Sequence, residues 1–66
     1  MTTLGDDYPR EQARCRDLLA AYREIGPAGA FGAAVIEAKL RAADEAAISG
    51  DLVAMLRAYQ AMKECK

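Results

Sequence analysis

The chain has 66 residues, a formal net charge of -1 and an apolar fraction of 53%. This length permits one domain, residues 1–66, with a small core and little stability to spare. The balanced charge argues against a protein with a broad basic face for nucleic acid, and also against an acidic tail.

Residue types that carry chemistry are scarce. There is no histidine and Ser49 is the one serine, so a Ser/His/Asp or Cys/His nucleophile is impossible. A soft metal needs more thiolate or imidazole ligands than Cys15 and Cys65 supply. We therefore predict no catalytic residue, no cofactor and no metal site, and expect a protein that is not an enzyme.

The N-terminal residues lack the basic start and apolar run of a signal peptide, and no apolar run approaches the roughly 20 residues that span a bilayer. We expect a cytoplasmic protein without membrane contact. In a reducing compartment Cys15 and Cys65 are expected to be free, partly buried thiols, with Cys65 nearer to solvent.

Residues 1–6 show no periodicity, and we expect them to be disordered. A first helix is predicted over about residues 8–25, because Asp6, Asp7 and Pro9 suit a cap and a first turn. Its apolar residues recur at helical spacing on one face: Cys15, Leu18, Leu19, Tyr22 and Ile25.

Gly26 and Pro27 end this helix, and a second helix is predicted over about residues 28–49. Its start contains two glycines, each of which costs about 1 kcal/mol relative to alanine inside a helix. Either they let another helix approach closely with Phe31 wedged beside them, or the segment is a mobile hinge or a partner-contact surface anchored by Phe31. The residues of this candidate surface are Gly29, Phe31, Gly32 and Val35.

The segment Ser49-Gly50-Asp51 can end one helix and cap the next, which predicts a third helix over about residues 51–64. Both helices carry apolar stripes that favour core positions. In helix 2 these are Val35, Ile36, Leu40, Ala43, Ala47 and Ile48, and in helix 3 Leu52, Met55, Leu56, Tyr59 and Met62. The predicted fold is all-α: a small three-helix domain in which helix 1 packs on an antiparallel hairpin of helices 2 and 3.

A possible basic patch lies on helix 1, and it consists of Arg10, Arg14, Arg16 and Arg23. Interleaved Glu11, Asp17 and Glu24 dilute it, and no helix carries a dedicated basic recognition face. A small regulator associated with nucleic acid is therefore the third hypothesis, and nucleic acid is not the expected partner.

Two resemblances add to this. Gly50-Asp51-Leu52, followed by Met55, Tyr59 and Met62, resembles the second helix of a tetratricopeptide repeat, which implies an antiparallel hairpin. The run from Gly29 through Ala43-Asp44 and Ser49-Gly50-Asp51 to Tyr59 resembles small open reading frames of temperate phages of proteobacteria.

The phage resemblance implies an accessory protein that occupies a surface of a host or defence protein, as anti-CRISPRs do. The leading hypothesis is therefore a non-enzymatic protein-binding module, a phage-encoded inhibitor. The alternative is a structural protein that forms a homodimer through the face from Gly29 to Val35. A protein partner, either a host protein or a second copy, is expected in both cases.

Overall fold

The computed structural model describes residues 3–65, and within that range it contains helices and no strand. Helix α1 spans Leu4–Ile25, a short 3-10 helix spans Gly26–Gly29, α2 spans Ala30–Ser49 and α3 spans Leu52–Lys63. The first three elements follow one another without a break, so they form one long helical segment with a bend, and α3 is short. The predicted all-α class is confirmed.

The packing agrees in part with the predicted three-helix arrangement. Helix α2 contacts both α1 and α3 extensively, whereas α1 and α3 share a smaller contact. A turn of only two residues, Gly50 and Asp51, joins α2 to α3 and returns the chain alongside α2. The central helix of the fold is therefore α2, with a neighbour on each side.

Helix α1 begins at Leu4, about one turn earlier than predicted. The side-chain oxygen of Thr3 accepts a hydrogen bond from the backbone N–H of Asp6 at 3.3 Å, and the Thr3 carbonyl accepts one from Asp7 at 2.8 Å. This cap supports a turn ahead of Pro9, which consequently lies inside the helix. Of the six residues predicted to be disordered, residues 1 and 2 lie outside the described range and the others form this cap and turn.

Two glycines in the left-handed region end the long helices. Gly26 has a φ of 84° and Gly50 a φ of 72°, values that side chains with a Cβ rarely adopt. After Gly50, the Asp51 side chain accepts a hydrogen bond from the backbone N–H of Ala54 at 3.2 Å and caps α3. Both joints lie where the sequence predicts them, although α2 starts at Ala30 rather than near residue 28 because a 3-10 turn intervenes.

The core is small and rich in alanine. Its members with less than a tenth of their surface exposed are Tyr8, Cys15, Leu19, Ala33, Ile36, Leu40, Ala43, Ala46, Ala58, Met62 and Cys65. Leu18, Tyr22, Met55 and Tyr59 pack against them and are partly buried.

The apolar stripe of α3 is rotated from its predicted position. Ala58 faces the core, whereas Leu52 and Leu56 are exposed. Small residues allow α2 and α3 to approach closely, and the larger leucines then fall outside that contact. Ile25 and Ile48, also predicted to be in the core, are exposed at helix ends, where no neighbouring helix covers them.

Candidate functional site

Gly29 and Gly32 lie where the bent segment folds back on α1. A Cβ at Gly29 would overlap the backbone carbonyl of Tyr22, and a Cβ at Gly32 would lie 2.7 Å from a carbon of the Tyr22 ring. Both glycines therefore allow close packing between α1 and the start of α2. Gly29 is buried, so it is unavailable to a partner.

Phe31 does not share in that packing. Its side chain is 83% exposed, which corrects the expectation that it is wedged between helices. The reason is its position: Gly29, Gly32 and Ala33 occupy the face of α2 turned towards α1, and Phe31 points away from it. Val35 lies one turn further along and is 38% exposed. Phe31 and Val35 border a depression of about 220 Å³ next to Lys39, Glu64 and Cys65.

A larger groove runs between α2 and α3 on the molecular surface. Its volume is about 540 Å³, and alanines dominate its walls. The lining residues are Ala42, Glu45, Ala46 and Ser49 from α2, Asp51 from the turn, and Val53, Ala54, Arg57, Ala58 and Ala61 from α3. We call this feature the α2–α3 groove.

The groove and the exposed Phe31 are parts of one surface. Phe31, Val35, Ala38 and Ala42 follow one another at steps of four, three and four residues, which places them on one side of α2. The first three continue the α2 wall of the groove beyond the end of α3. We call these four residues the α2 strip.

The sequence analysis identified Phe31 and Val35 but missed the groove. The signal was present in alanines that recur at steps of four or three in both helices, at positions 38, 42 and 46 and at positions 54, 58 and 61. Alanine is such a common helix former that this spacing does not distinguish a groove from an ordinary helix surface.

The four arginines of the possible basic patch each lie next to a carboxylate. Arg10 is 3.9 Å from Asp7, Arg16 is 3.3 Å from Asp44 and Arg23 is 3.2 Å from Glu37.

Arg14 is the fourth, and its Nε donates to Glu11 at 2.6 Å. Its other two nitrogens donate to the backbone carbonyls of Met62 at 2.6 Å and Cys65 at 2.8 Å. The Glu11 hydrogen bond is the main reason that the pKa of the Arg14 guanidinium is raised. Arg14 thus ties α1 to the end of α3.

Both thiols are free and buried. Cys15 donates to the Met62 carbonyl at a sulfur–oxygen distance of 3.6 Å. Burial, and then the nearby Cys65, raises the pKa of the Cys15 thiol, which keeps it in its less nucleophilic neutral form. The expectation that Cys65 is nearer to solvent is wrong, because Arg14 holds the C-terminal segment against α1.

Within residues 3–65, no three or more Cys, Asp or Glu side chains are grouped so that they could hold a metal ion. None of the described helices is long and apolar enough to cross a membrane. Comparisons with protein-family models, with curated proteins and with solved structures found no match to this chain.

Proposed function

We propose that this protein is a non-enzymatic protein-binding module, and that its contact surface consists of the α2 strip and the α2–α3 groove. The observation that carries the proposal is the exposure of Phe31, the chain's one phenylalanine, at the end of an apolar groove. A folded chain this small has few large apolar residues to spend on solvent contact.

The energetic argument concerns what a partner could gain at this surface. Covering a phenylalanine side chain contributes about 1.5–3 kcal/mol, and aromatic anchors of this kind dominate many protein interfaces. Val53, which is 58% exposed, lines the opposite end of the groove and adds a second anchor. The alanines between them leave room for a partner's backbone to approach.

The total surface of the molecule supports the same proposal. The chain exposes 4497 Å², whereas size scaling gives about 4,100 Å² for a compact monomer of its mass. The molecule is correspondingly flat, with extents of 36 × 24 × 16 Å. A partner on the groove side would cover apolar surface that the fold itself leaves open.

The finer proposal is that the module is a phage-encoded inhibitor that acts in the host cytoplasm by occupying a surface of a host or defence protein. It is supported by the sequence resemblance to small open reading frames of temperate phages. Occupying a surface requires only contact area and anchors, which the α2 strip and the groove offer.

Affinity capture tests the binding function. The tagged protein is immobilised, incubated with a lysate of the organism that carries the gene, and the bound proteins are identified by mass spectrometry. We expect Phe31→Asp to reduce the captured partner at least about tenfold, because a carboxylate would be desolvated at the anchor position.

Ile25→Asp is the matched control, because Ile25 is also exposed but is neither in the α2 strip nor in the groove. It should leave capture unchanged. Circular dichroism would establish that both variants are helical. A Phe31→Asp variant that retains every partner of the unmodified chain would contradict the proposed surface.

A further inference from the structure

We propose that the occupant of the α2–α3 groove is a second copy of this chain, placed antiparallel across a two-fold axis close to Ala42. This inference rests on the proposed binding function and names its partner. In the resulting dimer the α2 helix of each protomer lies along the groove of the other.

The positions of the apolar residues around Ala42 are self-complementary. Ala38 and Ala46 lie four residues to either side of it, and Val35 and Ser49 lie seven residues to either side. In an antiparallel pair of helices these positions come to the same level, so Ala38 of each protomer meets Ala46 of the partner subunit. A two-fold axis uses one surface patch twice, which requires this kind of symmetry.

The anchor also matches a site at the correct distance. Phe31 lies eleven residues before Ala42, which is about 16 Å along a helix. The same distance in the opposite direction passes Ser49 and reaches the α2–α3 turn, where Val53 lines the groove and is exposed. Phe31 of one protomer would therefore cover Val53 of the partner subunit, and both contacts would form twice.

Charge gives an independent argument for a second copy. Helix α2 contains five charged residues, and three of them, Glu37, Arg41 and Asp44, form ion pairs. Lys39 and Glu45 form none with the residues that the structure describes.

These two residues carry opposite charges and lie three residues before and three residues after Ala42. In the antiparallel pair, Lys39 of each protomer comes to the level of Glu45 of the partner subunit. The two unpaired charges of α2 would thus complete two symmetric ion pairs.

The small residues permit the helices to come close enough for these contacts. Ala38, Ala42 and Ala46 have only a methyl group on the contact side, so the axes of two α2 helices could approach to about 8 Å. The two hairpins of α2 and α3 would then form a four-helix arrangement with the alanine walls inside.

Sedimentation equilibrium of the full chain tests the dimer. We expect a mass of twice 7.1 kDa at about 100 µM, falling towards the monomer mass on dilution. Ala42→Arg should remain monomeric, because two guanidinium groups would meet at the axis. Ala21→Arg, on the exposed surface of α1, is the matched control and should remain dimeric.

Charge reversal tests the pairing itself. Lys39→Glu and Glu45→Lys should each weaken the dimer about tenfold, because each places like charges together twice. The double variant Lys39→Glu/Glu45→Lys should restore the affinity of the unmodified chain. A merely structural effect of either substitution would not be reversed by adding the other.

Two results would overturn the inference. One is a monomer at about 100 µM, which is weaker than a stable dimer of this kind should be. The other is a dimer that persists in Ala42→Arg, which would place the contact elsewhere. If the chain is monomeric but Phe31 is still required for capture of another protein, the binding function stands and only the second copy is excluded.

Discussion

The Tyr8 hydroxyl donates a hydrogen bond of 2.7 Å to the backbone carbonyl of Ala43, and so connects the second turn of α1 to the middle of α2. The same ring stacks on Tyr59 of α3, with ring centres 6.5 Å apart. One buried side chain therefore touches all three α-helices. In a fold with a small alanine-rich core, such a contact carries a large share of the tertiary stability.

Removing that hydroxyl should be measurable. We expect Tyr8→Phe to lower the free energy of unfolding by about 1 kcal/mol, because the hydrogen bond is lost while the ring contacts remain. Urea denaturation followed by circular dichroism would measure the loss. Tyr59→Phe is the control, since no hydrogen bond of its hydroxyl to a described residue is observed, and it should have a smaller effect.

Arg14 should control how well the end of α3 is held. We expect Arg14→Met, which keeps the apolar stem, to destabilise the fold by about 1 kcal/mol and to speed the reaction of Cys65 with a thiol reagent. The reason is that the carbonyls of Met62 and Cys65 lose their donors. Arg10→Met should change neither quantity, because Arg10 makes only a long, exposed ion pair. Equal thiol reactivity in both variants would contradict this role of Arg14.

Gly29 should tolerate no side chain. We expect Gly29→Ala to destabilise the protein by about 2–3 kcal/mol, because the new methyl group would overlap the Tyr22 backbone carbonyl, which cannot move without shifting α1. Gly5→Ala is the matched control, since its Cβ would meet Thr3 only at an ordinary contact distance of 3.7 Å. Thermal unfolding should show a lower midpoint for Gly29→Ala and an unchanged or higher one for Gly5→Ala.

Helix positions could be predicted from this sequence because the terminating signals are local. Gly26 and Gly50 have left-handed backbone angles that follow from the residue type, and Asp51 caps α3 through its own side chain. The start of α1 was misjudged because Pro9 was taken to mark the first turn. Thr3 makes an equally good cap one turn earlier, and a single proline removes only one hydrogen bond from the helix.

The side on which each helix is buried could not be predicted as well. Helical spacing identifies which residues share a face, but which face turns inward depends on how closely the neighbouring helices approach. The alanines of α2 and α3 bring those helices together and leave Leu56 outside, while Tyr8, which lies outside every apolar stripe, is buried. For the same reason the sequence indicated Phe31 as an anchor but not the groove next to it.

The buried thiol and phenol should make the fold sensitive to alkali. Burial raises the pKa of Cys15 and of Tyr8, with Cys65 and Asp44 respectively adding to the effect. In the unfolded chain these groups ionise near pH 8.5 and pH 10, at about their ordinary pKa values. Above those values the unfolded state binds fewer protons than the folded state, so the free energy of unfolding falls as the pH rises.

We therefore expect constant stability at neutral pH, with a decline that begins near pH 8.5 and steepens above about pH 10. Each group can contribute a slope of up to about 1.4 kcal/mol per pH unit until its folded pKa is reached. Urea denaturation between pH 7 and 11 would measure this profile. Cys15→Ala should flatten the first part of the decline and Tyr8→Phe the second, whatever their effects at pH 7. A decline of the same slope in both variants and in the unmodified chain would assign the alkaline sensitivity to other groups.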